Sequence, residues 1–130
     1  MQIILTHEES ETYFHNALCN GLNYIAAYNL QISFKRADYV KARANYENTH
    51  PNEQACYEDI LMQILKDGNM LKLIDHEDAE NTQVINLADV HKRVAETPVR
   101  HLMDMINEND DATTADVIIQ SVFFEEVIYG

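Results

Sequence analysis

Helix-start signals recur along this chain and cut it into short segments. Thr6 followed by Glu9 forms a capping box, in which two side chains satisfy free backbone N–H groups. Asn52 and Asn86 each precede an apolar-periodic run, and Thr97-Pro98 sets a cap before a proline suited to the first helical position. Thr114 precedes the last apolar run. A chain punctuated this often cannot form one long helix. It must pack several short helices on one another and on whatever strands lie between them.

Periodicity predicts a helix from about His7 to Tyr28, with Phe14, Leu18, Gly21, Leu22 and Ile25 on its apolar face. Gly21 costs a helix interior about 1 kcal/mol against alanine, which implies a neighbour that needs the space. Asn29 suits a left-handed cap. Ala37–Tyr46 predicts a short helix, and residues 45–52, with His50-Pro51, a loop. Asn52 caps a helix to Lys66 with Tyr57, Ile60, Leu61, Ile64 and Leu65 on one stripe, ended by Asp67-Gly68. Further helices are expected over Leu87–Glu96, from Thr97-Pro98 to about Asn107, and over Ala115–Phe124. In the second of these Val99, Leu102, Met103 and Ile106 share a face. Strand patterns occupy Gln2–Leu5, Leu30–Phe34, Met70–Ile74 and Thr82–Ile85, the last two joined by an acidic turn. The expectation is a single α+β domain over residues 1–130, mostly helical with five or six helices and a small sheet of up to four short strands.

The chain carries 22 acidic and 9 basic side chains, a formal net charge of -13. Residues 1–66 hold -3 of it and residues 67–130 hold -10. Such a field repels phosphates and anionic lipids, so direct nucleic-acid or membrane binding is not expected. It favours a partner protein with a basic surface. No run approaches the ~20 apolar residues of a membrane span, and the start lacks the basic and apolar regions of a secretion signal. Cys19 and Cys56 lie in apolar helical patterns and read as buried thiols in a reducing compartment. The expected location is the cytoplasm.

Five groups of residues invite a chemical reading. Glu11, His15 and Cys19 recur every fourth position on the first helix, and all are zinc-ligand types. One helical strip rarely closes a tetrahedral site and no fourth ligand is evident, so no metal or cofactor is assigned. His91, Lys92, Arg93, Arg100 and His101 form the basic cluster of the acidic half, beside a predicted helix N-terminus. His91, Arg93, Arg100 and His101 are therefore candidate anion-binding residues. The competing reading has them neutralise Asp89, Glu96 and Asp104. Lys35, Arg36, Lys41 and Arg43 interleave with Tyr39 and Tyr46, a pattern that suits a nucleotide or, more simply, a solvated helix with packed tyrosines.

The remaining groups are acidic. Asp75, Glu77, Asp78 and Glu80 form one tract, and Asp104, Glu108, Asp110 and Asp111, with Asp116 nearby, form another. Neither fits a calcium loop. They read either as a solubilising surface or as carboxylates that imitate a phosphate backbone inside a basic cleft. Ser10, Ser33 and Ser121 sit in no nucleophile elbow and no glycine-rich phosphate loop occurs, so no enzymatic activity is expected. The apolar surplus at Val117-Ile118-Ile119, Val122-Phe123-Phe124 and Val127-Ile128 reads equally as a buried core helix or as the interface of a homodimer.

The stretches Ala17-Leu18-Cys19-Asn20-Gly21-Leu22, Cys56 through Leu65, and Thr97 through Ile118 resemble small uncharacterised acidic proteins of large tailed phages that infect gut bacteria. The resemblance implies a phage-encoded protein in the host cytoplasm that acts on the host. The resulting expectation is an acidic interaction protein that binds and inhibits a host protein, a host-defence or nucleic-acid-handling factor. The alternative is a protein that sequesters a nucleotide signal.

Overall fold

Thr6 and Glu9 close the predicted capping box in the computed structural model, which describes residues 3–130. The Glu9 amide donates to Thr6 Oγ1 at 3.0 Å and the Thr6 amide to Glu9 Oε1 at 2.9 Å. They start α1 (His7–Ala26). Asn29, at φ +60°, turns the chain into β1 (Leu30–Ser33). There follow α2 (Arg36–Thr49), α3 (Tyr57–Lys66), β2 (Leu71–Asp75), a 3-10 turn (Ala79–Asn81), β3 (Gln83–Ile85), α4 (Leu87–Val94), α5 (Val99–Ile106) and α6 (Ala112–Phe124). Among the described residues this is a mostly helical α+β domain of six helices and one sheet, as expected.

The sheet is antiparallel with order β1-β2-β3. Leu30 faces Asp75 across one ladder and Leu71 faces Ile85 across the other. Leu30, Ile32, Leu71, Leu73 and Ile85 point into the core, as alternation along a half-buried strand requires.

The helical layer is organised by α1 and α6, which make the most extensive contact in the fold. Gly21 is where they approach most closely. A Cβ there would lie 2.8 Å from Ile119 Cδ1 and 3.0 Å from Ala115 Cβ. The space that the mid-helix glycine predicted is thus filled by α6. Helix α6 is buried all round, from Thr114 to Phe123. Its own apolar residues are consumed inside the chain, with Phe123 against Phe14, whereas Val127 and Ile128 of the segment after it remain exposed.

Several boundaries differ from expectation for local reasons. Gln2 lies outside the described residues, and Ile3–Leu5 pair with no strand. Helix α2 continues to Thr49, whose hydroxyl donates back to Asn45 O and Tyr46 O. Helix α3 starts at Tyr57, not after Asn52, because Asp59 accepts the Cys56 amide at 3.2 Å. Helix α6 is capped by Asp111, whose Oδ1 accepts the Thr114 amide at 2.9 Å, so Thr114 is its third residue. Pro98, not Thr97, holds the cap position of α5. Both cysteines are exposed, which corrects the buried reading: Cys19 lies off the buried face of α1, and Cys56 holds the cap position before α3.

Candidate functional site

A cleft of about 350 Å³ opens where α1, α5, α6 and the C-terminal segment meet. Tyr24 of α1 and Tyr28 of the turn after it reach the cleft, with ring centroids at 5.9 Å in an edge-to-face pair. Tyr129 comes from the C-terminal segment and stacks on Tyr28 at 5.7 Å. His101 of α5 and Asp116 of α6 complete its polar lining.

The segment that carries Tyr129 is fixed by Gln120. Its Oε1 accepts the Ile128 and Tyr129 amides, each at 2.9 Å, and its Nε2 donates to Tyr129 O at 3.0 Å. The same Nε2 donates to Asp116 Oδ1 at 2.8 Å. The Tyr129 hydroxyl donates to the buried carboxylate of Asp75. Asp75 also accepts the Glu77 amide at 2.9 Å, the Asp78 amide at 3.1 Å and Asn81 Nδ2 at 3.4 Å.

These bonds decide the electrostatics. Burial pushes the Asp75 carboxyl up, but the bonds from Tyr129, Glu77, Asp78 and Asn81 outweigh it and hold the group below the usual aspartate range. Burial pushes the Asp116 carboxyl above that range, and Gln120 and the neighbouring His101 offset only part of this. The Tyr28 phenol is raised by burial, by its bond to Tyr24 and by the nearby Asp116 charge. The Tyr129 phenol is raised by its bond to Asp75 and by burial. The Nδ1 of His101 is buried and has no hydrogen-bond partner.

Both acidic tracts adjoin this cleft. One is anchored through Asp75 to Tyr129, with Glu77, Asp78 and Glu80 exposed beyond it. Asn29 donates to Glu77 and Asp78 caps the 3-10 turn by accepting the Glu80 amide. The other leads into Thr113 on the cleft wall. In it Glu108 and Asp111 are exposed, Asp104 and Asp110 are half-buried, and Asp110 accepts from Asn20 Nδ2 at 3.1 Å. The amide of Thr114 on Asp111 lowers that carboxyl, its largest influence. Asp75 itself is 1% exposed, so it organises the acidic surface without belonging to it.

The basic residues are dispersed. His91 Nε2 meets Glu11 Oε2 at 2.7 Å and its ring stacks on His7 at 3.9 Å. Arg93 donates to Val122 O at 2.9 Å and pairs with Glu125 at 2.9 Å and Asp89 at 3.5 Å, which places it at the C-terminus of α6. Arg100 is exposed, and His101 faces Asp116 across the tyrosine cleft. Arg43 pairs with Glu47 at 3.0 Å, and Tyr39 stacks on Phe34 at 5.0 Å. Lys35 and Lys72 line a cleft of about 500 Å³ with Phe34, Met70 and Val84. A third cleft, of about 310 Å³, is lined by Glu11, His15, Tyr46, His50, Asp59 and Lys66.

The tyrosine cleft was not singled out by the sequence reading. Tyr24 and Tyr28 are spaced one turn apart at the edge of the apolar stripe, and Asp116 and Gln120 are a polar pair one turn apart inside an apolar helix. Those signals were visible; the joining of Tyr129 to them is tertiary. Comparison with family models, with curated proteins and with solved structures finds no match. Among the described residues no helix is long and apolar enough to cross a membrane.

Proposed function

We propose that this chain is an acidic interaction protein that receives a basic side chain of a partner protein in the tyrosine cleft. The observation that carries the reading is the enclosure of Asp116 by Tyr24, Tyr28 and Tyr129 between two acidic tracts. Aromatic faces attract a guanidinium or ammonium group, and more so where water is excluded. Asp116 supplies the countercharge. The surrounding carboxylates speed encounter by long-range attraction, which salt screens beyond about 8 Å at physiological ionic strength. In the phage context that the resemblance implies, the partner is a host protein, and the carboxylates occupy a surface that otherwise holds phosphates. Binding there inhibits it.

Titration calorimetry with an arginine-rich peptide tests the reading. Expected are saturable binding at low salt, steep weakening as salt rises, and loss of most affinity in Tyr24→Ala and Asp116→Asn. Absence of binding at low salt would overturn the proposal. So would equal binding by the two variants, since that reports only diffuse charge.

The alternative of a nucleotide-sequestering protein is supported at a different place. Lys35 and Lys72 flank the apolar surface of Phe34, Met70 and Val84 in the 500 Å³ cleft, a combination of charge and stacking surface. A nucleotide panel in a thermal-shift assay decides it: stabilisation that is lost in Lys72→Ala supports it, and a flat panel removes it.

A further inference from the structure

The first helix offers His15 and Cys19 one turn apart, and the start of α3 offers Cys56 and Asp59 across from them. A single helical strip cannot surround an ion, but two elements meeting face to face can. His15 Nε2 lies 2.8 Å from Asp59 Oδ1, and donor atoms of His15, Cys56 and Asp59 all lie within 4.8 Å of one another. Cys19 Sγ lies 3.9 Å from both ring nitrogens of His15. A zinc ion with bonds of about 2.0–2.3 Å has donor–donor edges of about 3.3–3.8 Å. Cys19 lies outside the group of His15, Cys56 and Asp59, so its exposed side chain has to rotate toward Asp59 to complete the set, and Cys56 Sγ has to leave the Asp59 amide that it caps.

We propose that His15, Cys19, Cys56 and Asp59 form a four-donor structural site for zinc. The donor set is one imidazole, two sulfurs and one carboxylate. Two thiolates select zinc over magnesium or calcium, which take oxygen. The carboxylate is already aimed, because Asp59 Oδ2 accepts the Cys56 amide at 3.2 Å and Oδ1 is left toward His15. As a ligand His15 gives the ion Nε2 of a neutral ring that carries its proton on Nδ1. The two thiols lose their protons to solvent, so zinc binding releases one proton per thiolate formed. The filled site then carries one net negative charge.

The same residues do not form a hydrolytic triad. Cys19 Sγ is equidistant from the two ring nitrogens and therefore lies along neither lone pair. Although Cys19 is exposed, partial desolvation by its neighbours and then the adjoining Glu58 and Asp59 charges raise its thiol. Cys56, also exposed, is pushed up to about 11, first by partial desolvation and then by its acidic neighbours. A thiol kept protonated is a poor nucleophile. The carboxylates that suppress the thiolate favour a dication, and the dication in turn stabilises the thiolate. Closing the site would tie the loop before α3 to the middle of α1.

Cobalt(II) titration of the reduced full chain tests the site. Expected are the intense visible bands of tetrahedral cobalt and a near-ultraviolet sulfur-to-cobalt band, saturating at one ion per chain and abolished by equimolar zinc. Cys56→Ser and Cys19→Ser should each lose about half of the sulfur band, and His15→Ala should lose the tetrahedral pattern. Far-ultraviolet dichroism of the metal-free variants checks that they fold, as expected for exposed cysteines. A six-coordinate spectrum without a sulfur band would overturn the assignment. Unchanged affinity in the Cys56→Ser variant would do the same. This site is independent of the tyrosine cleft, so either proposal can fail without the other.

Discussion

Tyr129 donates its hydroxyl to the carboxylate of Asp75, so the C-terminal segment is tied to the last residue of the central strand. That carboxylate also holds two amides of the acidic turn and Asn81. Every donor it meets is matched to an anion.

Asp75→Asn keeps one acceptor oxygen but sets an NH2 group against the donors of Tyr129 and Asn81. Hydrogen bonds to charged groups contribute about 1.5–3 kcal/mol, and a loss of about 2–3 kcal/mol in urea unfolding is expected. The pH dependence has a definite sign. The folded carboxyl sits below its unfolded value, so its contribution is present above about pH 3.9. It is lost as pH falls through the folded value. The variant should therefore lose less stability on acidification below pH ~4 than the wild type; an equally steep acid limb would contradict this.

Asp116 acts with the opposite sign. Its folded carboxyl is raised, so its ionised form at neutral pH opposes folding, and that opposition is relieved as pH falls through the raised value. Asp116→Asn retains an oxygen for the Gln120 amide and removes the buried charge. Its melting temperature at neutral pH should equal or exceed that of the wild type. Affinity for the arginine-rich peptide should fall about tenfold or more, that is by about 1.4 kcal/mol at least. Wild-type binding should weaken on acidification before an ordinary aspartate would titrate, which calorimetry over a pH series will read.

Gly21 sets the spacing of α1 and α6. Alanine gains about 1 kcal/mol of helix propensity there. It also overlaps Ala115 and the buried Ile119, and overpacking costs about 1–3 kcal/mol. Gly21→Ala should be destabilised by about 1 kcal/mol and Gly21→Val by distinctly more, about 3 kcal/mol. Chemical denaturation gives both values, and a stabilised valine variant would show that the helices can separate freely.

Arg93 closes the C-terminus of α6 through Val122 O and Glu125. Replacing it with methionine keeps the packing of the stem and deletes these contacts, at an expected cost of about 1–2 kcal/mol. Phosphate binding, measured by calorimetry, should be the same with and without the substitution. A change in it would restore Arg93 as an anion ligand.

The elements were largely legible because their signals are local. Thr6 and Asn86 cap helices as their sequences say, and Gly21 marks a close neighbour, which is α6. The start of α3 was hidden because cysteine is not a usual cap residue, and only Asp59 three positions on marked it. The burial of Asp75 was hidden because its ligands include Tyr129, more than fifty residues away. The zinc-type cluster was half visible for the same reason: His15 and Cys19 lie on one strip, and folding supplies Cys56 and Asp59. Alternation and periodicity assign a side chain to a face, but they do not say which faces meet.

The phenol of Tyr129 has an optical consequence. The chain contains no tryptophan, so its ultraviolet emission comes from seven tyrosines alone. A tyrosine whose hydroxyl is bonded to a carboxylate is expected to emit weakly, and Tyr28, stacked on it, and Tyr24, edge-on to Tyr28, lie close enough to be quenched with it. The cleft is thus a dark spot in the intrinsic fluorescence. Anything that lifts the C-terminal segment away from Asp75 will brighten it, so the protein reports on its own cleft without a label.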